Sequence, residues 1–243
     1  MRVRPMVAEA IGTALLLAAV VGSGIMGERL AGGNVAIALL ANTLATGAAL
    51  VTLILTFGPI SGAHFNPAVT LVEGWRGATA WRHVPGYLLA QFGGAVAGVV
   101  CAHLMFGEPL FTASRHVRSG GGQLFSEFIA TFGLVAVIRG CGRSRPSAVP
   151  FAVGAYITGA YWFTASTSFA NPAVTMARSL TDTFAGIRPA DVPGFIAAQL
   201  AGAIAAAALF AWLAPGLPLD LPDEDLPDVD LPDDDLPDSE QVA

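Results

Sequence analysis

Long apolar runs separated by short polar connections dominate this chain. Six runs lie near 6–27, 34–57, 84–106, 123–140, 148–165 and 190–213. Each approaches the length of about 20 apolar residues that a helix needs to cross the hydrocarbon core of a bilayer. The first run follows Arg2 and Arg4, but it is longer than the apolar core of a signal peptide and contains Glu9, so we predict an uncleaved span. The pattern predicts an all-α membrane protein with six transmembrane helices.

The composition and charge agree with this pattern. Of the 243 residues, 54% are hydrophobic and 12% are charged, whereas soluble domains carry about 25% charged residues. Residues 1–219 carry 7 acidic residues and 12 arginines, and residues 220–243 carry 11 acidic residues and no basic one. The apolar part is therefore mildly basic, and nothing in this balance suggests nucleic-acid binding.

The acidic C-terminal segment differs from the rest of the chain. From residue 217 it is rich in Leu, Pro and Asp with a five-residue period. Proline in every repeat opposes a helix, and like charges favour an extended chain. We predict a folded domain over 1–216, with internal repeats at about 6–110 and 120–214, and a disordered, solvated acidic tail over 217–243. A gating or partner-binding role is the alternative for the tail.

The tripeptide Asn-Pro-Ala occurs twice, at 66–68 and at 171–173, each time between long apolar runs. Both copies continue as Ala-Val-Thr, and each half of the chain also has a Glu near its start and a Gln near its end. The equivalent pairs are Glu9 with Glu127 and Gln91 with Gln199. Each half contains three spans and one loop, and because three is odd the halves cross the membrane in opposite directions. We therefore predict an inverted 3+3 repeat whose loops dip toward the bilayer centre from opposite faces.

Each Asn-Pro-Ala loop is expected to begin a short helix inside the membrane. Proline suits a first helical turn, where its missing N–H would have no partner, and Asn is a strong cap. We predict half-helices near 67–75 and 172–180 whose positive dipole ends meet at the centre, disfavour cations and let the Asn amides donate to a solute. Irregular backbone at this depth must be buried or line a watery cavity. The predicted pore constriction comprises Asn66, Pro67, Ala68, Asn171, Pro172, Ala173 and His64.

Three polar side chains near these loops allow more than one role. Glu9 and Glu127 are costly at membrane depth and are functional candidates for that reason. Their equivalent placement indicates that they support the re-entrant loops by accepting hydrogen bonds, and a proton relay is the alternative. His64 either lines the pore or packs in support of the first loop.

These features resemble the aquaporin, or major intrinsic protein, family over roughly residues 6–214. The resemblance rests on the sequence Ser-Gly-Ala-His-Phe-Asn-Pro-Ala-Val-Thr at 61–70 and on the second motif at 171–173. It implies six tilted helices, two re-entrant half-helices and one pore per subunit. It also implies a homotetramer embedded in the lipid bilayer.

The selectivity filter that this resemblance implies departs from the usual pattern. Most members place an Arg directly after the second motif, where this chain has Val174, and Arg178 is four residues further on. Counted back from Asn66 and Asn171, the other filter positions that the resemblance implies map to Thr46, Gly159 and Ser168. A one-residue gap would put Phe169 in place of Ser168. The mapped residues are small and uncharged, which implies a wider gate that repels cations less.

The residues after the second motif, 175–184, are similar to bacterial aquaglyceroporins of arsenic-resistance systems. This similarity implies a passive channel for arsenous acid, methylated arsenicals, glycerol and water. One alternative is a water-selective aquaporin. Another is an ion-coupled secondary transporter, which also uses inverted repeats and broken helices.

An enzyme has no support in the sequence. There is no paired nucleophile and base and no metal-ligand spacing. Cys101 and His103 lie two positions apart, but we interpret them as a buried thiol beside an interfacial histidine. We expect no enzymatic activity, no cofactor and no metal site.

Arginines in the connections indicate the orientation in the membrane. With cytoplasmic N- and C-termini, seven arginines lie inside and five outside, a modest bias in the direction of the positive-inside rule. The inner set is Arg2, Arg4, Arg76, Arg82, Arg139, Arg143 and Arg145, and the outer set is Arg29, Arg115, Arg118, Arg178 and Arg188. We predict a multi-pass protein of the inner (plasma) membrane.

Overall fold

The computed structural model describes residues 3–213. They form eight α-helices in the order α1 Val3–Leu30, α2 Val35–Ser61, α3 Pro67–Trp75, α4 Val84–Phe106, α5 Gly121–Ser144, α6 Val149–Phe163, α7 Pro172–Arg178 and α8 Val192–Leu213. Short 3₁₀ turns at Pro146–Ala148 and Pro189–Asp191 precede α6 and α8. The predicted tail over 217–243 lies outside the described residues.

Six of the helices correspond to the six apolar runs. By length and composition, α1, α2, α4, α5 and α8 with its preceding turn are each sufficient to cross a membrane. Helix α6 has 15 residues, about 22 Å at 1.5 Å per residue, and the preceding 3₁₀ turn lengthens this segment. The prediction of an all-α membrane protein is confirmed.

The two short helices begin at the prolines of the repeated motif. Helix α3 covers the predicted residues, and α7 ends two residues earlier than predicted, at Arg178. Both start from an asparagine in extended conformation, with φ of −151° at Asn66 and −158° at Asn171. Such backbone at the cap position lets the side chain fold back onto the first free N–H groups of the helix.

The two halves of the chain pack alike. Helix α1 lies along α4 and α5 lies along α8, and these are equivalent pairs of the repeat, while α2 and α6 join the halves. Glycines permit the close crossings. A methyl group at Gly94 or Gly98 would overlap carbonyl oxygens of α1, and one at Gly202 would overlap the Phe128 carbonyl oxygen of α5. Small residues at such crossings let the backbones approach and pack.

We expect Gly94→Ala to destabilise the protein by about 1–3 kcal/mol, because the new methyl group must push α4 away from α1. Gly93→Ala is the matched control, since Gly93 is exposed and its added methyl meets nothing within 4 Å. Both changes raise helix propensity equally, so their difference reports the crossing alone. Thermal unfolding of the detergent-purified proteins measures this difference. Equal unfolding midpoints would contradict the packing.

Candidate functional site

The N-termini of α3 and α7 meet in the interior, and each is capped by its own asparagine. Asn66 Oδ1 accepts the N–H of Ala68 at 2.9 Å. Asn171 Oδ1 accepts the N–H groups of Ala173 and Val174 at 3.0 and 3.2 Å. Two positive helix ends therefore face the same region of the protein, which favours oxygen atoms and disfavours cations there.

The same two asparagines also tie the loops to each other. Asn66 Nδ2 donates to the carbonyl oxygen of Ala170 at 2.8 Å, and Asn171 Nδ2 donates to that of Phe65 at 2.7 Å. Each amide group has two protons, and one is used in this exchange. The second proton of each amide remains as a donor for a solute.

Both loops hold matching strained residues. Ala63 and Phe65 in the first loop, and Ser168 and Ala170 in the second, have φ between 48° and 49°. This left-handed conformation is uncommon outside glycine and costs on the order of 1–3 kcal/mol per residue unless the surroundings enforce it. The surroundings here are two buried carboxylates.

Glu9 holds the first loop. Its Oε1 accepts the Ser61 hydroxyl at 2.7 Å and the His64 N–H at 2.9 Å. Its Oε2 accepts the Phe65 N–H at 2.7 Å and the Gln91 side-chain amide at 2.8 Å. The carboxylate is wholly buried, and four donors satisfy it.

Glu127 holds the second loop in the equivalent way. Its carboxylate accepts the N–H groups of Phe169 and Ala170, both at 2.9 Å, and the Gln199 amide at 2.6 Å. Gln199 donates to Thr175 as well, just as Gln91 donates to Thr70 in the first half. Within residues 3–213, neither glutamate contributes to the cavity wall. This placement suits loop support, and it leaves neither Glu9 nor Glu127 on the wall for a proton relay through the cavity.

A cavity of about 1000 Å³ passes the paired asparagines and is lined by both halves of the chain. At the end where α1 begins, its wall forms a basic mouth of Arg76, Arg82, His83, Arg139 and Arg143. Beyond the asparagines, its wall includes Thr46, Tyr161, Ser168, Val174 and Arg178, here called the filter wall. Between these lie apolar residues such as Leu50, Ile54 and Val153.

Of the other residues predicted at the central constriction, only His64 lines the cavity. His64 lines the cavity, and its Nδ1 lies 3.0 Å from Thr70 Oγ1. Its ring also contacts Tyr87, with 5.3 Å between ring centres, so His64 both faces the cavity and supports the loop. The remaining motif residues are buried behind the wall, where they form the first turns of the half-helices: Pro67, Ala68, Pro172 and Ala173.

The predicted filter positions are only partly brought together. Thr46, Ser168 and Val174 line the cavity, and so does Phe169. Gly159 does not, because it lies on the exposed side of α6. Tyr161 takes that place, and its hydroxyl donates to Thr46 Oγ1 at 3.3 Å.

This correction has a simple geometric cause. At about 100° per residue, Gly159 and Tyr161 point to different sides of α6. The α6 residues on the cavity wall recur every fourth position: Val149, Val153, Ile157 and Tyr161. This stripe is visible in the sequence and identifies the side of α6 that faces the cavity. Counting positions back from Asn171 gives no information about that side.

Arg178 corrects the expectation of an uncharged filter. Its side chain is buried, at 2% exposure, and it lines the cavity. The guanidinium lies 3.4 Å from the centre of the Phe169 ring, and its Nε donates to the carbonyl oxygen of Ala185. The filter wall therefore contains a cation, one helical turn beyond Val174.

A second guanidinium approaches from the connection between α4 and α5. Arg118 lies 5.0 Å from the centre of the same Phe169 ring and donates to the carbonyl oxygens of Gly186 and Ser166 at 2.8 and 3.1 Å. Burial lowers the pKa of the Arg118 guanidinium from its ordinary value, and Glu127 acts in the opposite direction. From the sequence alone, Arg118 is predicted only to lie in an outer connection.

No cluster that could hold a metal ion occurs in the described part of the chain. The expected buried thiol is wrong, because Cys101 is exposed. His103 is the buried partner, and its ring contacts the Leu110 carbonyl oxygen at 3.0 Å and the Thr181 hydroxyl at 2.7 Å. His103 thus holds the loop segments that follow α4 and α7, and neither residue of the pair lines the cavity.

Comparison with known proteins agrees with this geometry. The family model described as Major intrinsic protein matches residues 1–157 and 141–226. The chain belongs to the major intrinsic protein family. Among its relatives is the aquaglyceroporin AqpS of Rhizobium meliloti (strain 1021), 58% identical over 210 residues that cover 86% of this chain and 90% of that protein.

The chain is also similar to a second curated protein and to a solved structure. A probable glycerol uptake facilitator protein of Thermotoga maritima is 30% identical over 154 residues, covering 57% of this chain and 64% of that protein. The X-ray structure of the aquaglyceroporin from Plasmodium falciparum is 24% identical, with a TM-score of 0.66, covering 88% of this chain and 95% of that one. At this identity the structural match shows the shared fold alone.

The family match and the similarity to AqpS show what kind of protein this is. It is a membrane channel for small neutral solutes, and not an enzyme.

Proposed function

We propose that this major intrinsic protein is a passive aquaglyceroporin that conducts arsenous acid, methylated arsenicals and glycerol, with water as a further solute. The observation that carries the proposal is Val174 on the filter wall. Directly after the second motif, a small apolar side chain leaves space at the level where a longer one would narrow the passage. The 58% identity to an aquaglyceroporin supports a solute range beyond water.

The polar groups along the passage suit a neutral polyol. Arsenous acid is uncharged near neutral pH and presents hydroxyl groups much as glycerol does. Ser168 Oγ is buried without a hydrogen-bond partner in residues 3–213, and it lines the same wall as the Thr46 hydroxyl. Together with the free protons of Asn66 and Asn171, these groups can replace the water around a hydroxylated solute.

Release of a trivalent arsenic compound requires that no thiolate holds it. The described cavity wall contains no cysteine, and Cys101 faces away from it. A conducting pore must bind weakly enough for the solute to leave. The wall therefore suits conduction and not capture.

The termini are proposed to be cytoplasmic, in the plasma membrane. The basic mouth lies at the end where α1 begins, and α8 ends there too, because Phe210 packs near Gly140 of α5. Cytoplasmic connections carry an excess of arginine. The exposed apolar side chains of the long helices, such as Leu40, Leu89 and Trp212, would face lipid or neighbouring subunits of a homotetramer.

We expect Val174→Arg to lower glycerol and arsenous acid permeability at least about tenfold, a change of about 1.4 kcal/mol in barrier, and to spare water more. The larger side chain narrows the filter wall, where water still fits. Val174→Ile is the control, because it adds bulk without charge or length. Light scattering on vesicles with equal channel content measures all three solutes. Equal loss of water and solute permeability would contradict the proposal.

A water-selective channel is the second candidate, favoured by the bulk of Tyr161 and the charge of Arg178 on the filter wall. The same vesicles distinguish the two, since a water-selective channel would show fast water flux and negligible glycerol flux before any substitution. An ion-coupled transporter has less support, because Glu9 and Glu127 are engaged by the loops and stand away from the cavity.

A further inference from the structure

Within the described residues, no carboxylate forms a hydrogen bond or an ion pair with the guanidinium group of Arg178 on the filter wall or with that of Arg118 beside it. Arg178 donates to the Ala185 carbonyl oxygen and stacks on Phe169. Arg118 donates to two further carbonyl oxygens and lies over the same ring. Carbonyl dipoles and a ring face hold both groups, and Glu127 attracts them only through space. The charge of Arg178, which lines the cavity, therefore remains to act on the passage.

Three acidic groups of this region form their hydrogen bonds with other partners. Glu127 accepts main-chain N–H groups of the second loop and the Gln199 amide. Asp191 accepts the Arg188 guanidinium and the main-chain N–H of Arg118. Asp182 accepts the main-chain N–H of Arg115 and lies 3.8 Å from its guanidinium.

Phe169 is a rigid support for the two cations. Its N–H is held by Glu127 at 2.9 Å, and its ring packs edge-on against the buried Phe195, with 5.3 Å between ring centres. A guanidinium seated on a fixed ring has a fixed position, which a long side chain in open water lacks.

We infer that Arg178 is the specificity-determining cation of the filter: it rejects positively charged solutes, and its N–H groups donate to the oxygens of neutral ones. Val174 and Arg178 lie four residues apart on α7 and hence on one helix face. The wall is therefore open at the level of Val174 and charged one turn further along, where the guanidinium lies over the Phe169 ring. Charge is placed on the passage without a side chain crossing it.

This inference rests on the proposed channel and is tested with two planar solutes of similar size, neutral urea and the guanidinium cation. Radiolabelled uptake at millimolar concentration into vesicles gives their permeability ratio. For the wild-type channel we expect clear urea uptake and little guanidinium uptake. For Arg178→Gln we expect the guanidinium-to-urea ratio to rise at least about tenfold, a modest value for one buried unit charge close to the path.

Three variants complete the test. Arg178→Lys keeps the charge and is expected to restore cation rejection. Arg115→Gln removes an arginine of the same α4–α5 connection as Arg118. The Arg115 side chain is 89% exposed, and this variant is expected to behave as wild type. Arg178→Met repeats the charge removal while keeping an apolar stem against Phe169, in case the Gln variant does not assemble.

The outcomes separate the inference from the proposed function. If wild-type vesicles take up neither urea nor glycerol, the proposed function fails. If they take up urea and the ratio is unchanged in Arg178→Gln or Arg178→Met, the role of Arg178 is overturned. A wild-type ratio near one overturns it without any variant.

Discussion

Glu127→Gln is expected to destabilise the channel by about 3 kcal/mol and to abolish its solute flux. The substitution keeps size and shape but replaces one carboxylate oxygen by an NH₂ group. Three N–H donors converge on this carboxylate, from Phe169, Ala170 and Gln199. At least one would then meet another donor in a wholly buried site, and an unsatisfied buried group beside a lost charge costs several kcal/mol.

The loss of flux follows from the backbone that Glu127 holds. Ser168 and Ala170 are in the left-handed region, and without the carboxylate nothing comparable opposes their relaxation. Ala170 also supplies the carbonyl oxygen that Asn66 binds. A relaxed second loop would therefore disturb the first loop too. Glu9→Gln is expected to act in the same way on the first half.

Glu28→Gln is the matched control, because Glu28 lies on α1 with Glu9 but is exposed. Thermal unfolding in detergent and glycerol flux in vesicles measure the three variants together. An assembled Glu127→Gln channel with wild-type stability would remove the loop-support role. If solute flux through the wild-type channel required a proton gradient, a proton relay through the two glutamates would be favoured instead.

Asn171→Ala is expected to lower the free energy of unfolding by about 2–4 kcal/mol. It is also expected to widen the central constriction. It removes the cap from two N–H groups of α7 and leaves the Phe65 carbonyl oxygen without its donor. A helix cap alone contributes about 1 kcal/mol, and a buried orphaned carbonyl adds a further 1–3 kcal/mol. Asn66→Ala is expected to cost about as much through its bond to Ala170.

Asn34 provides the matched control. It caps α2 with the same two-bond pattern, to Ala36 and Ile37, but in an exposed position. Asn34→Ala is therefore expected to cost only about 1 kcal/mol. Because Asn66 and Asn171 tie the same two loops together, the double variant is expected to cost less than the sum of the single ones. Thermal unfolding midpoints of the single and double variants measure these losses of stability. Equal destabilisation by Asn34→Ala and Asn171→Ala would refute a contribution from the bond between the two loops.

The features that the sequence predicts well are local or repeated. A proline directly after a capping asparagine is a local signal for a helix start. The starts of α3 and α7 therefore follow directly from the two Asn-Pro-Ala motifs. Comparing the chain with itself also pairs Glu9 with Glu127. The structure shows that the carboxylates of both bind their loops.

The features that it does not predict depend on the rotation of a helix or on distant contacts. Counting positions from Asn171 selects Gly159 but cannot tell which side of α6 faces the cavity, and Tyr161 lies there instead. The Phe169 site joins Arg118 and Arg178, which are far apart in the chain. Only packing of the loop after α4 against the end of α7 brings their guanidinium groups together.

The central claim is that a filter wall with Val174 passes neutral polyols larger than water. The most direct test is light-scattering permeability of wild-type vesicles to water, glycerol and arsenous acid, with and without imposed proton and sodium gradients. We predict fast glycerol and arsenous acid flux that no ion gradient changes. Fast water flux with negligible flux of both larger solutes would contradict the claim and leave a water channel.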